Sequence, residues 1–179
     1  MSQFKIETDA RGNGYSLMVR HGEIKFKNFR GRPTEVNPQG GVRSVSIVID
    51  RPKMYQQLLE DGWRFKTDKI DPDDKQSPRY EPFAEKENGE IAYPWTDLAI
   101  RFHHQEGEEW RDPKFRFHTQ TGEVVLLREE ELDKLDTHYI TDFKMKIRPS
   151  KNMKGYLNEM DFWLQEDEYE SEDGWDDWD

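Results

Sequence analysis

The segment Val42 to Asp50 (VRSVSIVID) sets Val45, Ile47 and Ile49 at every second position. A period of two is what a half-buried β-strand imposes, because successive side chains point to opposite faces. The same period returns along the chain. Residues 15–29 place Leu17 and Val19, then Ile24 and Phe26, at alternate positions on either side of a break at Gly22. Thr96 to His103, Lys114 to Thr119, Glu123 to Leu127, Tyr139 to Arg148 and Tyr156 to Gln165 are further strand segments, and Trp63 to Lys66 is a brief one. Helix is scarce. Pro52 stands where proline opens a helix, Met54, Tyr55, Leu58 and Leu59 form a short apolar stripe, and Gly62 ends it. Residues 129–135 suit one or two helical turns. Turn chemistry separates the strands: Thr121-Gly122, an acidic loop over 68–78, a loop over 85–94 and a basic loop from Ser150 to Gly155. Many short strands with little helix predict a mainly β fold, a closed barrel or a sandwich.

Only 33% of the residues are hydrophobic while 13% are aromatic, so the core must be built largely from Phe, Tyr and Trp. There is no cysteine, which excludes disulfides and thiolate zinc sites and suits a reducing cytoplasm. The start of the chain has no apolar signal core, and the longest aliphatic run, Val124 to Leu127, falls far short of the roughly 20 residues that span a bilayer. A soluble cytoplasmic protein, with no membrane partner, is expected.

The net charge of −11 argues at first against a nucleic-acid partner. Residues 166–179 (EDEYESEDGWDDWD) hold nine acids and no base, however, so the remainder carries −11 + 9 = −2. Within that remainder, residues 22–66 hold nine Lys/Arg against five Asp/Glu, and residues 138–154 five against one. Residues 1–165 are read as one domain and 166–179 as an acidic tail, disordered by self-repulsion and by lack of aliphatic residues.

Cations and rings interleave in four places: Lys25 to Arg30, Trp63 to Lys66, Lys114 to His118 and Phe143 to Arg148. Single-strand binders need positive charge along the phosphates and flat side chains for stacking. On any one strand the rings could equally face the core and the lysines water; four such strands favour a groove. The loop Phe29 to Gly41 adds Arg30 and Arg32 among glycines that permit close backbone approach. In the tail, Trp175 and Trp178 lie among Asp176, Asp177 and Asp179, and exposed tryptophans suit a partner pocket. His103, His104 and His118 lack ligand spacing, and Asp71, Asp73 and Asp74 lack the glycine and distal glutamate of a calcium loop. No phosphate-cradling or nucleophile motif is present. Neither an enzyme nor a cofactor is expected.

Residues 25–66 resemble the N-terminal block of single-stranded DNA-binding proteins of tailed bacteriophages: Asn28-Phe29-Arg30-Gly31, Asn37-Pro38-Gln39-Gly40-Gly41, the aliphatic strand ending at Asp50, and Asp61-Gly62-Trp63. The acidic, aromatic end resembles their tails in kind. The resemblance implies an OB-type β-barrel with one or two short helices. It also implies sequence-independent binding of single-stranded DNA in phage replication, recombination and repair, and a tail that competes for the groove and recruits replication or recombination proteins. The expected phosphate contacts are Lys25, Lys27, Arg30, Arg32, Arg43, Lys144, Lys146 and Arg148. The expected stacking residues are Phe29, Trp63, Tyr80, Phe115 and Phe117, and Trp175 to Asp179 form the partner-binding tip. An acidic DNA mimic or host-enzyme inhibitor displayed on a β-barrel is the alternative, and a homodimer is left open.

Overall fold

A computed structural model of the protein describes residues 2–8, 15–35, 38–149 and 155–165; the acidic tail and its tip, Trp175 to Asp179, lie outside them. The strands are β1 (Gln3–Thr8), β2 (Tyr15–Arg20), β3 (Ile24–Asn28), β4 (Arg43–Val48), β5 (Trp95–Ile100), β6 (Lys114–His118), β7 (Val124–Leu126), β8 (Ile140–Pro149) and β9 (Gly155–Leu164). Helix α1 (Pro52–Glu60) follows β4, and 3₁₀ segments cover Glu109–Arg111 and Glu129–Thr137. All nine strands share one sheet, in the order β1-β2-β8-β9-β5-β4-β3, with β6 on β9 and β7 on β6. The fold is mainly β, as the period of two predicts.

Two halves of one bent strand sit at different places in that order. β2 pairs with β8 and β3 with β4. Between them, His21 N donates to Phe143 O of β8 (3.2 Å), and Glu23 O accepts from Val48 N of β4 (3.0 Å). Gly22 marks the bend: a Cβ there would lie 3.1 Å from Phe143 Cζ and 3.1 Å from Val19 Cγ1. The hydrogen-bonded sheet itself is not closed, so the molecule is barrel-like only loosely, and covalent continuity through residues 21–23 joins its two sides. Counted this way, the bent strand, β4, β5, β8 and β9 form a five-stranded, partly open Greek-key arrangement of OB type. The parallel contact between β5 and β9 is confined to Leu98–Gly155 and Ala99–Tyr156.

The inward row of each strand fills the core. Leu17, Val19, Val45, Ile47, Ile49, Leu98, Ile147, Met160 and Phe162 are all fully buried. The 3₁₀ segment Glu129–Thr137 contributes Leu132 and Leu135, also fully buried. It is bound to the loop after β3: Asp136 accepts from the backbone N–H of Phe29 (2.7 Å) and Arg30 (3.1 Å).

Three segments depart from the sequence pattern. Trp63 to Lys66 is not a strand; only Lys66 bridges, to Trp95, while Trp63 turns directly from the helix end into the core at 2% exposure. The strand expected over 96–103 ends at Ile100. β1 is an edge strand not among the expected ones; it alternates Phe4 and Ile6, both only half-buried, with Lys5 and Glu7 on its exposed row. No helix among the described residues is long and apolar enough to cross a membrane.

Candidate nucleic-acid interface

Strand parity builds one continuous outer face. In β4, Val45 and Ile47 point inward, so Ser44 and Ser46 point out. In β5, Leu98 and Ile100 face the core, leaving Trp95, Asp97 and Ala99 on the outer row, which Arg101 continues; Trp95 is itself covered, with Phe26 and Lys25 against its ring. Register pairs Asn28 with Ser44, Ser44 with Ala99, Ala99 with Tyr156, and Tyr156 with Arg148. A line of small side chains thus crosses β4 and β5 and ends on an exposed ring and a guanidinium. Along β5 the row from Trp95 to Arg101 runs on the order of 20 Å. In OB barrels this is the surface of the second and third strands, bordered by the loop between the first two, here residues 29–42.

A cavity lies at each end of the row. The one at Arg101 has a volume of about 410 Å³ and is lined by Arg101, His103, Trp110, Arg111, Arg148 and Tyr156 among others. Trp110 is 75% exposed and Tyr156 39%. Arg111 is paired with Glu108 (3.3 Å); Arg101 and Arg148 have no carboxylate partner among the described residues. The cavity at Trp95, of about 540 Å³, is lined by Phe26, Tyr80, Trp95, Lys69, Arg79 and Lys86, with Asp68 and Glu87 among them. Lys25 sits 4.9 Å and Arg79 6.0 Å from the Trp95 ring centre, and Phe26 packs on the same ring at 5.2 Å. Here most cations are committed. Lys86 bonds Asp68, which raises its pKa, Lys25 also reaches Asp68 (3.8 Å), and Arg79 donates to the Thr67 carbonyl. The Arg101 end is therefore the one with positive charge left for an external anion.

The expected phosphate contacts divide into separate groups and do not form one cleft. Arg148 lies in the first cavity and Lys25 beside the second. Lys144 and Lys146 stand on the outer row of β8, opposite Asp161 and Glu159 of β9, and Arg148 continues that row. Lys27 donates to the His138 carbonyl, and Arg32 bonds the Lys27 carbonyl and lies 3.7 Å from Asp136. Arg30 is exposed on the same loop. Arg43 is a correction: its parity is inward, and it is held by the Phe29 carbonyl, Asp133 and Glu129. Four of the five expected stacking residues are also corrected. Phe29, Trp63, Phe115 and Phe117 are 0–3% exposed and belong to the core, where no base can reach a ring face. Tyr80 alone lines a cavity. For Phe115 and Phe117 the cause is alternation itself, which sent the rings inward and Lys114 and Arg116 to the other face; Trp63 turns in from the end of α1 and Phe29 from the turn after β3.

The rings that do face solvent include Phe26 (61%), Trp110 (75%), Tyr139 (62%) and Tyr156 (39%). Phe26 adopts φ +52° at a bulge between Lys25 and Asn28, which turns it off the inward row its sequence position suggests. Of the residues at the Arg101 end, only Arg148 was expected from the sequence to contact nucleic acid. The local signals were Trp110-Arg111 and Tyr156 beside a basic loop, but nothing in the sequence joins Arg101 to Arg148.

The remaining polar clusters are structural in form. His118 bonds Asp161 (2.7 Å) and stacks on Trp163 (4.4 Å), and Arg116 bonds both Asp161 and Glu159. Burial alone would raise the Asp161 pKa, but the bonds from Arg116 and His118 outweigh it and hold the carboxyl below its usual range. His104 bonds Glu129, and Asp71 and Asp74 accept from the backbone of their own loop. No group of three or more His, Asp or Glu among the described residues is placed to hold a metal ion.

No family model, curated protein or solved structure matches the chain.

Proposed function

We propose that this protein is a non-enzymatic, sequence-tolerant binder of single-stranded DNA, acting in phage replication and recombination through the outer face of β4, β5 and β9. The observation that carries the reading is the row from Ser44 through Ala99 and Tyr156 to Arg148, with Arg101 and Trp110 beside it. It offers the small side chains of Ser44 and Ala99, two guanidiniums with no carboxylate partner among the described residues, and the exposed rings of Trp110 and Tyr156. Phosphates pass along Arg101 and Arg148, and bases stack on Trp110 and Tyr156, each stack contributing about 1–3 kcal/mol. Along β5, the roughly 20 Å from Trp95 to Arg101 accommodates on the order of four nucleotides, the lower end of the range for one OB barrel. The similarity of residues 25–66 to phage single-strand binders supports the same reading, and the acidic tail is proposed to recruit replication or recombination proteins and to compete for the face.

The test is a fluorescence titration of oligo-dT at two salt concentrations, with the full chain and with Arg101→Ala/Arg148→Ala. Each phosphate contact on a single strand contributes about 0.7 to the salt slope, so the double variant should lose about 1.4. Absence of binding at low salt, or an unchanged slope in the variant, would refute this site.

A further inference from the structure

β7 is a free edge of the sheet: among the described residues it pairs with β6 alone. It carries three apolar side chains in succession, Val124, Val125 and Leu126, exposed by 54%, 38% and 61%. Free edges are normally blunted by charge, and β1, another free edge, bears Lys5 and Glu7 on its exposed row. β7 has no charged residue between Glu123 and Arg128.

Its backbone is also poised for pairing. Thr119 N donates to Glu123 O (2.9 Å) and Leu127 N to Phe115 O (2.8 Å). The polar groups of residues 123, 125 and 127 therefore face β6, and those of Val124 and Leu126 point outward from the edge. A second copy of β7, running antiparallel about a twofold axis at Val125, satisfies them. Val124 then lies opposite the second copy's Leu126, Val125 opposite Val125, Glu123 opposite Leu127 and Arg128 opposite Gly122. Every exposed apolar side chain meets another, and no like charges are opposed.

We propose that β7 joins two copies of this chain through an antiparallel, twofold edge contact. The occupant is a second copy because the segment is complementary to itself in the one register its outward groups allow at Val125. The patch is small beside the roughly 1,200–2,000 Å² of a standard interface, so the dimer is weak and concentration-dependent. Each copy carries a net charge of −11, and their repulsion is screened by salt. The contact thus strengthens with salt, whereas phosphate contacts weaken. This inference does not depend on the DNA-binding reading.

The absence of cysteine makes a single introduced thiol report only contacts between copies. Val125→Cys places two thiols across a non-hydrogen-bonded pair, with Cα atoms about 4.5 Å apart and inside the range for a disulfide. Leu126→Cys would sit about 8–9 Å from its symmetry mate, outside that range. Under mild oxidation at equal concentration, Val125→Cys should cross-link at least about tenfold faster than Leu126→Cys and than Gln56→Cys on exposed α1, because only its geometry fits. Equal rates for the three would overturn the proposal. Sedimentation equilibrium of the wild type up to about 0.5 mM, a range suited to contacts below standard size, should show a dimer that salt favours and Val125→Lys removes. A wild type that stays monomeric throughout, or a Val125→Lys variant that dimerises equally, would also overturn it. Val124→Lys repeats the test if Val125→Lys does not fold.

Discussion

Alanine at Gly155 tests how closely β9 must approach β5, and hence how Tyr156 reaches the outer face. A Cβ at Gly155 would lie 2.5 Å from Leu98 Cδ2, 2.9 Å from Ile147 Cγ2 and 3.0 Å from Trp63 Cζ3. Carbon atoms in contact prefer about 3.5–4.0 Å, so the added methyl overlaps Leu98 by about 1 Å. All three neighbours are 0–2% exposed and have no free volume to move into. Overpacking of this kind costs about 1–3 kcal/mol. The lower chain entropy of alanine in the unfolded state returns about 0.4–1 kcal/mol. The net loss is about 1–2 kcal/mol, or about 2–8 °C in Tm for a chain of this size. Urea unfolding followed by tryptophan fluorescence measures it, provided the m-value is unchanged. Leu98→Ala removes the clashing atom, so the double variant should be more stable than the sum of the single losses by at least about 1 kcal/mol. A Gly155→Ala protein within about 0.5 kcal/mol of wild type, or strict additivity with Leu98→Ala, would show that β9 is not seated as described.

Two further predictions separate structural from interfacial roles. Phe115→Ala should cost about 3–5 kcal/mol of stability, whereas Trp110→Ala should change stability by no more than about 0.5 kcal/mol and weaken oligo-dT binding by about 1–3 kcal/mol. Unfolding curves and titrations of both variants check this, and equal effects on stability would contradict the assignment of the rings. Asp161 has a folded pKa below its unfolded value of about 3.9, so its contribution to stability is present above about pH 4 and fades as pH falls through the lower folded value. Asp161→Asn should flatten that acid limb and lower stability at neutral pH; stability curves parallel to wild type between about pH 2 and pH 6 would refute the coupling.

Much of the fold was legible because a period of two survives wherever a strand has one buried face. Val45, Ile47 and Ile49 are all fully buried, as are Leu17 and Val19, and the break at Gly22 is where the first long strand bends. α1 begins at Pro52 and ends before Gly62. The site was far less legible. Interleaved cations and rings announce that a strand has two unlike faces, but they do not say which face meets water or which meets the core. At Phe115 and Phe117 the rings went inward; at Phe26 a positive-φ bulge reversed the expected direction.

Local periodicity and turn chemistry therefore determined by themselves that this chain is mainly β, where most strands lie and where the first one bends. Only the tertiary structure decided which guanidiniums remain unpaired and which rings stay exposed. Arg101 and Arg148 share a cavity because β9 runs parallel beside β5, and Arg43 is withdrawn because the 3₁₀ segment supplies Asp133 and Glu129. Those outcomes depend on contacts between residues distant in sequence, which neighbouring side chains along one strand cannot encode.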